Sequence, residues 1–177
     1  LNRDAKRVPL RKRLLLAAAM VAVGGLAWFC MGRIVVAITD SVEHRFFIVL
    51  EKGTIRHADR GDYVLFDLLA VLPDGEAERS VRETIARYGN RPAVKRVACA
   101  PGNRLVSKGK DYYCDGAFIG TAKDVSSTGA TTMAFRYDGR VPEGCLFVTG
   151  SNRDSYDSRY FGFLGMDHVK ARLVGIF

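Results

Sequence analysis

Two hydrophobic patterns divide the chain. From position 14 to position 32 no residue is charged, and Arg13 and Arg33 bound the run. At about 1.5 Å per helical residue such a run matches the hydrocarbon thickness of a bilayer, so it predicts one membrane-spanning helix. Beyond it, short runs rich in β-branched and aromatic residues alternate with turn signals at 46–50, 63–66, 94–98, 112–114, 146–149 and 169–177. That pattern predicts a mostly β, antiparallel body. Asp115-Gly116 between two such runs predicts a two-residue hairpin. Ala77, Val81, Ile85 and Tyr88 fall at helical spacing and predict one surface helix, while the Ser, Thr, Gly and Ala of 121–132 predict an exposed loop.

Composition changes this picture little. Of 177 residues, 48% are apolar and 26% charged, which excludes disorder for most of the length and allows one sizeable folded domain. The net charge of +8 is concentrated at the start: six Lys or Arg against one Asp in positions 1–13, then twenty basic and eighteen acidic residues from 34 onward. The basicity belongs to a tail, so a nucleic-acid partner is not expected. A cleaved signal peptide would have a shorter apolar run and a small-x-small site, whereas Trp28, Phe29, Cys30 and Met31 close this one. The expected organisation is a cytoplasmic basic tail (1–13), a transmembrane anchor (14–32) and an exported body (33–177), oriented by the positive-inside rule. Cys99, Cys114 and Cys145 then lie in an oxidising compartment, where one disulfide and one free thiol is the simplest count. A Cys114–Cys145 pair is preferred, because Cys99 falls in a segment with candidate chemistry. No CxxC spacing, Walker loop, dinucleotide fingerprint or metal-binding helix motif occurs, and no cofactor or metal is expected.

Three segments carry candidate chemistry. The first is Thr39-Asp40-Ser41-Val42, just past the apolar run; the second is Val94-Lys95-Arg96-Val97 with Pro101-Gly102-Asn103; the third is the polar stretch 150–162. A serine hydroxyl needs a base within reach, and lysine serves if burial keeps its amine neutral. Lys95 sits in an apolar strand pattern, but the adjacent Arg96 projects to the opposite face, and adjacency alone leaves open which of the two is buried. His44, three residues after Ser41, raises a Ser-His-Asp competitor, yet His44, His57 and His168 share no motif context.

Taken in order, these segments resemble the type I signal peptidase superfamily of Ser-Lys proteases, with the conjugative-transfer signal peptidases of the TraF type as the nearest likeness. The resemblance spans 39–162. It rests on Arg60-Gly61-Asp62-Tyr63-Val64, on the Lys95-Arg96 segment, and on Asn152-Arg153-Asp154 with Asp157-Ser158-Arg159-Tyr160-Phe161-Gly162. It implies a signal-peptidase-like antiparallel β catalytic core with a small β lobe inserted at about 104–143. It also implies Ser41 as nucleophile, Lys95 as general base, and an oxyanion hole from the Ser41 amide and Thr39. Ser155 would orient the lysine, with Asp154, Asp157 and Arg159 as a structural ion-pair cluster. The function so implied is a serine endopeptidase of the bacterial inner membrane with its catalytic domain in the periplasm. Its partner would be an exported precursor, a conjugative pilin first of all, cleaved with or without cyclisation, and other transfer-apparatus proteins would be neighbours. A general signal peptidase acting on many preproteins and a non-catalytic anchored pilus-assembly factor stay as alternatives.

Overall fold

The computed structural model describes residues 9–37, 41–73, 79–89, 92–125 and 131–176, leaving aside side chains within helices at 29–31, 80, 84 and 86–88. It contains a helical unit ending at Ile34 and a β body from Val35 onward. Helix α1 (Leu10–Met31) opens on Arg11, Lys12 and Arg13, and Gly24-Gly25 does not break it. Leu14, Leu15, Leu16, Val21, Val23, Leu26 and Trp28 are all exposed and do not form a single stripe. Among the described residues, no helix is long and apolar enough to cross a membrane. The run expected to do so extends past Trp28 into positions whose side chains lie outside that description.

The body is built on a seven-stranded sheet ordered β1-β2-β11-β3-β4-β9-β10. Its strands are β1 (Ile34–Val36), β2 (Phe46–Lys52), β3 (Tyr63–Phe66), β4 (Ala93–Cys99), β9 (Cys145–Thr149), β10 (Leu164–Gly165) and β11 (Val169–Gly175). A second sheet, ordered β7-β6-β5-β8, comes entirely from the chain between β4 and β9: β5 (Arg104–Lys108), β6 (Asp111–Cys114), β7 (Ala117–Thr121) and β8 (Asp138–Arg140). The expected antiparallel β architecture is observed. The β6–β7 turn places Asp115 and Gly116 at φ 48° and 79°, which a hairpin turn requires and which Asp and Gly tolerate best. Helix α3 (Arg79–Tyr88) follows the expected spacing, although Ala77 lies outside the described residues. Two single-turn helices were not foreseen, α2 (Leu68–Val71) and α4 (Ser158–Phe161), each capped by an aspartate side chain, Asp67 and Asp157. In 121–132, Thr121 closes β7 opposite Asp111, and farther along an isolated bridge joins Val125 and Thr131.

Apolar residues cover both faces of the large sheet. Val64, Phe66, Val97, Val148 and Leu164 pack in one cluster, while Phe47, Val49, Tyr63, Val94 and Leu173 form another. A third cluster, with Cys99, Leu105, Tyr112, Cys114 and Phe147, joins the large sheet to the second one. Strict alternation would send Cys99 to the same face as Lys95 and Val97, but a bulge between Val97 and Cys99 turns it into this third cluster. The disulfide is accordingly Cys99–Cys114, with Cα atoms 5.6 Å apart, and not the expected Cys114–Cys145. Cys145 is a partly buried free thiol.

Candidate functional site

Strand β4 decides which of its two adjacent cations is buried. Lys95 pairs with Val64 and Arg96 with both Tyr63 and Thr149, so the two side chains stand on opposite faces. Lys95 is only 4% exposed, whereas Arg96 is exposed. The Lys95 ammonium nitrogen Nζ donates a hydrogen bond of 2.7 Å to Ser155 Oγ, and Ser155 is itself buried. Burial pulls the lysine down to about 8; the Asp157 carboxylate opposes that shift and the Arg159 guanidinium adds to it.

The residues around Ser155 form a rigid polar hub. Arg159 grips Asp157 through two parallel bonds, Nε to Oδ1 at 2.8 Å and Nη2 to Oδ2 at 2.7 Å, with both side chains buried. Asp157 Oδ2 also accepts the Gly150 amide at 2.8 Å. Arg159 Nη2 reaches the carbonyls of Asn152 and Ser155, each at 3.3 Å, and Nη1 reaches the Thr121 carbonyl on β7 at 2.9 Å. Burial pulls the Arg159 guanidinium down, but its hydrogen bond and charge pairing with Asp157, helped by Tyr160 and Tyr112, outweigh that and hold it above its ordinary value. One charged pair thereby satisfies several backbone groups and fixes the 150–159 turn against the second sheet. Asp154 stands apart from this pair: it is exposed and pairs with Lys123 instead.

Ser41 is drawn to the same hub. Its carbonyl accepts the Ser151 amide at 2.9 Å. A Cβ placed on Gly150 would overlap both the Ser41 carbonyl oxygen and Ser155 Oγ, so these two residues meet over the bare face of Gly150. In the sequence Gly150 marks only the start of the polar stretch; in the fold its role is to have no side chain. Ser41, Lys95 and Ser155 are thus gathered by β4 and the 150–155 turn. Thr39 lies outside the described residues.

A cleft of about 410 Å³ opens beside this cluster. Its wall includes Val42 and Glu43, the chain neighbours of Ser41, together with Thr149, Gly150 and Ser151. The opposite wall is Phe118, Ile119, Gly120 and Thr121 of β7, the free edge of the second sheet. Ser41, Lys95 and Ser155 are not among its lining residues. The β7 wall had no signal in the sequence, because a strand edge gains significance only from what faces it.

His44 has a different setting. Its ring meets Phe47 and Tyr63 edge-on at 6.2 and 5.7 Å and lies against the backbone of Gly175. Among the described residues it forms no hydrogen bond or ion pair with a carboxylate, as a histidine base would need.

Comparison with known proteins gives the family of the chain. Residues 9–177 match the signal peptidase, peptidase S26 family. The chain belongs to that family. It is 34% identical over 91 residues to signal peptidase I of Bacillus caldolyticus, covering 45% of this chain and 50% of that protein. It is 35% identical over 95 residues to the conjugal transfer protein TraF of Agrobacterium tumefaciens (strain 15955), covering 52% of this chain and 53% of that one. The chain therefore spans about half the length of these curated relatives. The crystal structure of a signal peptidase I from Enterococcus faecalis V583 aligns over 68% of this chain and 99% of that one, at 24% identity and a TM-score of 0.39. Membership places the segments around Ser41, Lys95 and Ser155 inside the matched region of a signal peptidase family.

Proposed function

We propose that this chain is a Ser-Lys endopeptidase acting on an exported precursor at a membrane surface. The observation that carries the reading is the buried Lys95 amine, 2.7 Å from Ser155 Oγ and pulled down to about 8, on a turn that also binds Ser41. An amine near 8 is neutral in about a tenth of molecules at pH 7 and in about half at pH 8, which is the range a general base needs.

In this mechanism Ser155 holds Lys95 Nζ in one orientation, leaving the nitrogen lone pair for the Ser41 hydroxyl. Lys95 takes the Ser41 proton as the Oγ–carbon bond forms at the scissile carbonyl. The Ser41 amide and the Thr39 hydroxyl are the proposed donors to the developing oxyanion. The Lys95 ammonium then returns its proton to the leaving amine as the carbon–nitrogen bond breaks, giving an acyl-enzyme. Water, activated by the neutral lysine in turn, releases the acyl group; an amine of the same precursor would give a cyclic product by the same step. Asp157 and Arg159 act on position, not on protons: they hold the turn that carries Ser155.

The membrane setting is supported by two features of the chain. The run from Leu14 to Trp28 is apolar and preceded by three basic residues, the arrangement of an anchor with its amino end inside. In the β body, Phe46, Ile48 and Leu50 of β2 point outward with Val174 of β11, giving the sheet an exposed apolar face suited to a lipid interface. The likeness to TraF makes a conjugative pilin precursor the preferred substrate, while the likeness to signal peptidase I supports a broader range. The full chain in detergent, incubated with a prepilin and a panel of unrelated precursors, tests both points. Cleavage lost in Ser41→Ala and in Lys95→Arg, and retained in His44→Ala, is the expected result. Cleavage surviving in Lys95→Arg would overturn the dyad, and equal cutting of the whole panel would overturn the pilin preference.

A further inference from the structure

The cleft beside Ser41 has an unusual charge balance. Four charged side chains line it: Glu43, Arg96, Arg153 and Arg159. Arg159 is committed to Asp157, and the Glu43 carboxylate lies near Tyr63, whose hydroxyl is pushed up by burial first and by that carboxylate second. Among the described residues, the side chains of Arg96 and Arg153 form neither a hydrogen bond nor an ion pair, and both are exposed. A folded protein normally spreads such cations over its surface; here two uncommitted guanidinium groups converge on one concave site.

Their placement follows from the fold. Arg96 stands in a cross-strand row with Tyr63 and Thr149, and all three line the cleft. It is the outward neighbour of Lys95, so its position is fixed by the same strand register that buries the lysine. Arg153 comes from the turn that carries Ser155 and binds Ser41. Arg96 also borders a second hollow of about 280 Å³ lined by His44, Gly61, Asp62 and Gly175. Glu43, Tyr63 and Arg96 are common to both hollows, so they form one continuous wall along which an extended chain would run.

We propose that Arg96 and Arg153 form a carboxylate-recognising subsite and select a substrate with an acidic side chain close to the scissile bond. A carboxylate matches a guanidinium fork in shape as well as charge, so the match favours Glu or Asp over an isosteric amide. Glu43 stands on the same wall as Arg96, so its carboxylate disfavours an acid placed directly beside it. The inference rests on the peptidase reading for its substrate, but the binding preference is a separate property of the cleft.

The test uses the full chain in detergent and paired peptides around a small-x-small site, with Glu or Gln placed at successive positions flanking the bond. Two quantities are read: kcat/KM with the wild-type chain, and peptide binding by fluorescence anisotropy to the Ser41→Ala chain. At one position Glu is expected to exceed Gln by roughly 5- to 30-fold in both, with the advantage shrinking as salt is raised. Arg96→Gln and Arg153→Gln should each reduce the ratio, and Arg153→Glu should shift the preference toward a Lys peptide. Equal use of Glu and Gln peptides by an active wild-type chain, or a ratio unmoved by the arginine variants, overturns the subsite. A Glu preference in binding with no cleavage of any peptide supports the subsite and overturns the peptidase reading instead.

Discussion

Replacing Lys95 by Met separates the cost of the proposed base from its chemistry. Lys95 is buried, and its amine lies at about 8, against about 10.4 for a lysine in an unfolded chain. The unfolded state therefore binds more protons than the folded state between these two values, and wild-type stability rises with pH across that window. Below pH 8 the full cost of burying an ammonium is present, about 3 kcal/mol from the separation of the two values. Methionine fills the same volume without a charge and removes that cost, but it leaves Ser155 Oγ without its lysine partner, a loss of about 1 kcal/mol. Lys95→Met is expected to be inactive and about 2 kcal/mol more stable than the wild type at pH 7, with the advantage falling by about 3 kcal/mol as pH approaches 11. Urea unfolding of the full chain in mild detergent, at a series of pH values, measures this. Near-UV circular dichroism of the seven tyrosines is the suitable probe, because the single tryptophan, Trp28, belongs to α1 and all seven tyrosines belong to the chain after it. A stability difference independent of pH, or one that grows as pH rises, would refute the argument that Lys95 is held below its ordinary value.

Other expectations follow from the same geometry. The limb of kcat/KM against pH that reports the free base should reach half its maximum near pH 8, since Lys95 acts only when neutral; a limb near 6.5, the histidine range, would contradict it. Gly150→Ala should abolish cleavage more completely than it destabilises the fold, because the added methyl group meets Ser155 Oγ and the Ser41 carbonyl; activity within twofold of wild type (roughly, the noise of a kinetic comparison) would show that these residues need not converge there. Cys99→Ser with Cys114→Ser should lower stability by about 3 kcal/mol, as expected for a loop of this length, measured by urea unfolding with and without reductant. Arg159→Met should destabilise by about 3 to 5 kcal/mol by leaving the Asp157 carboxylate buried and unpaired, whereas the double variant Arg159→Met with Asp157→Leu should recover part of that loss.

The amino-acid sequence by itself determined the local structure. Runs rich in β-branched and aromatic residues gave β2, β3, β4, β6, β9 and β11, Asp115-Gly116 gave the hairpin into β7, and the spacing from Ala77 to Tyr88 gave the surface helix, because each depends on neighbours a few residues away, whereas the strands β1, β5, β8 and β10 had no such run. It also located the segments of the candidate site, since their residue types and order resemble those of a family to which the chain belongs. What it left open required distances between strands. Whether Lys95 or Arg96 is buried depended on which face of β4 meets the core, and two adjacent cations in a strand look alike until the sheet is packed. The disulfide went to Cys99 because one bulge reversed the alternation after Val97, and an insertion of that kind carries no periodic signal. The cleft joins residues near 42, 63, 96, 118–121 and 149–153, and no local pattern relates positions so far apart. Tertiary packing decided it, because only the folded sheets bring the free edge of β7 opposite the row formed by Tyr63, Arg96 and Thr149.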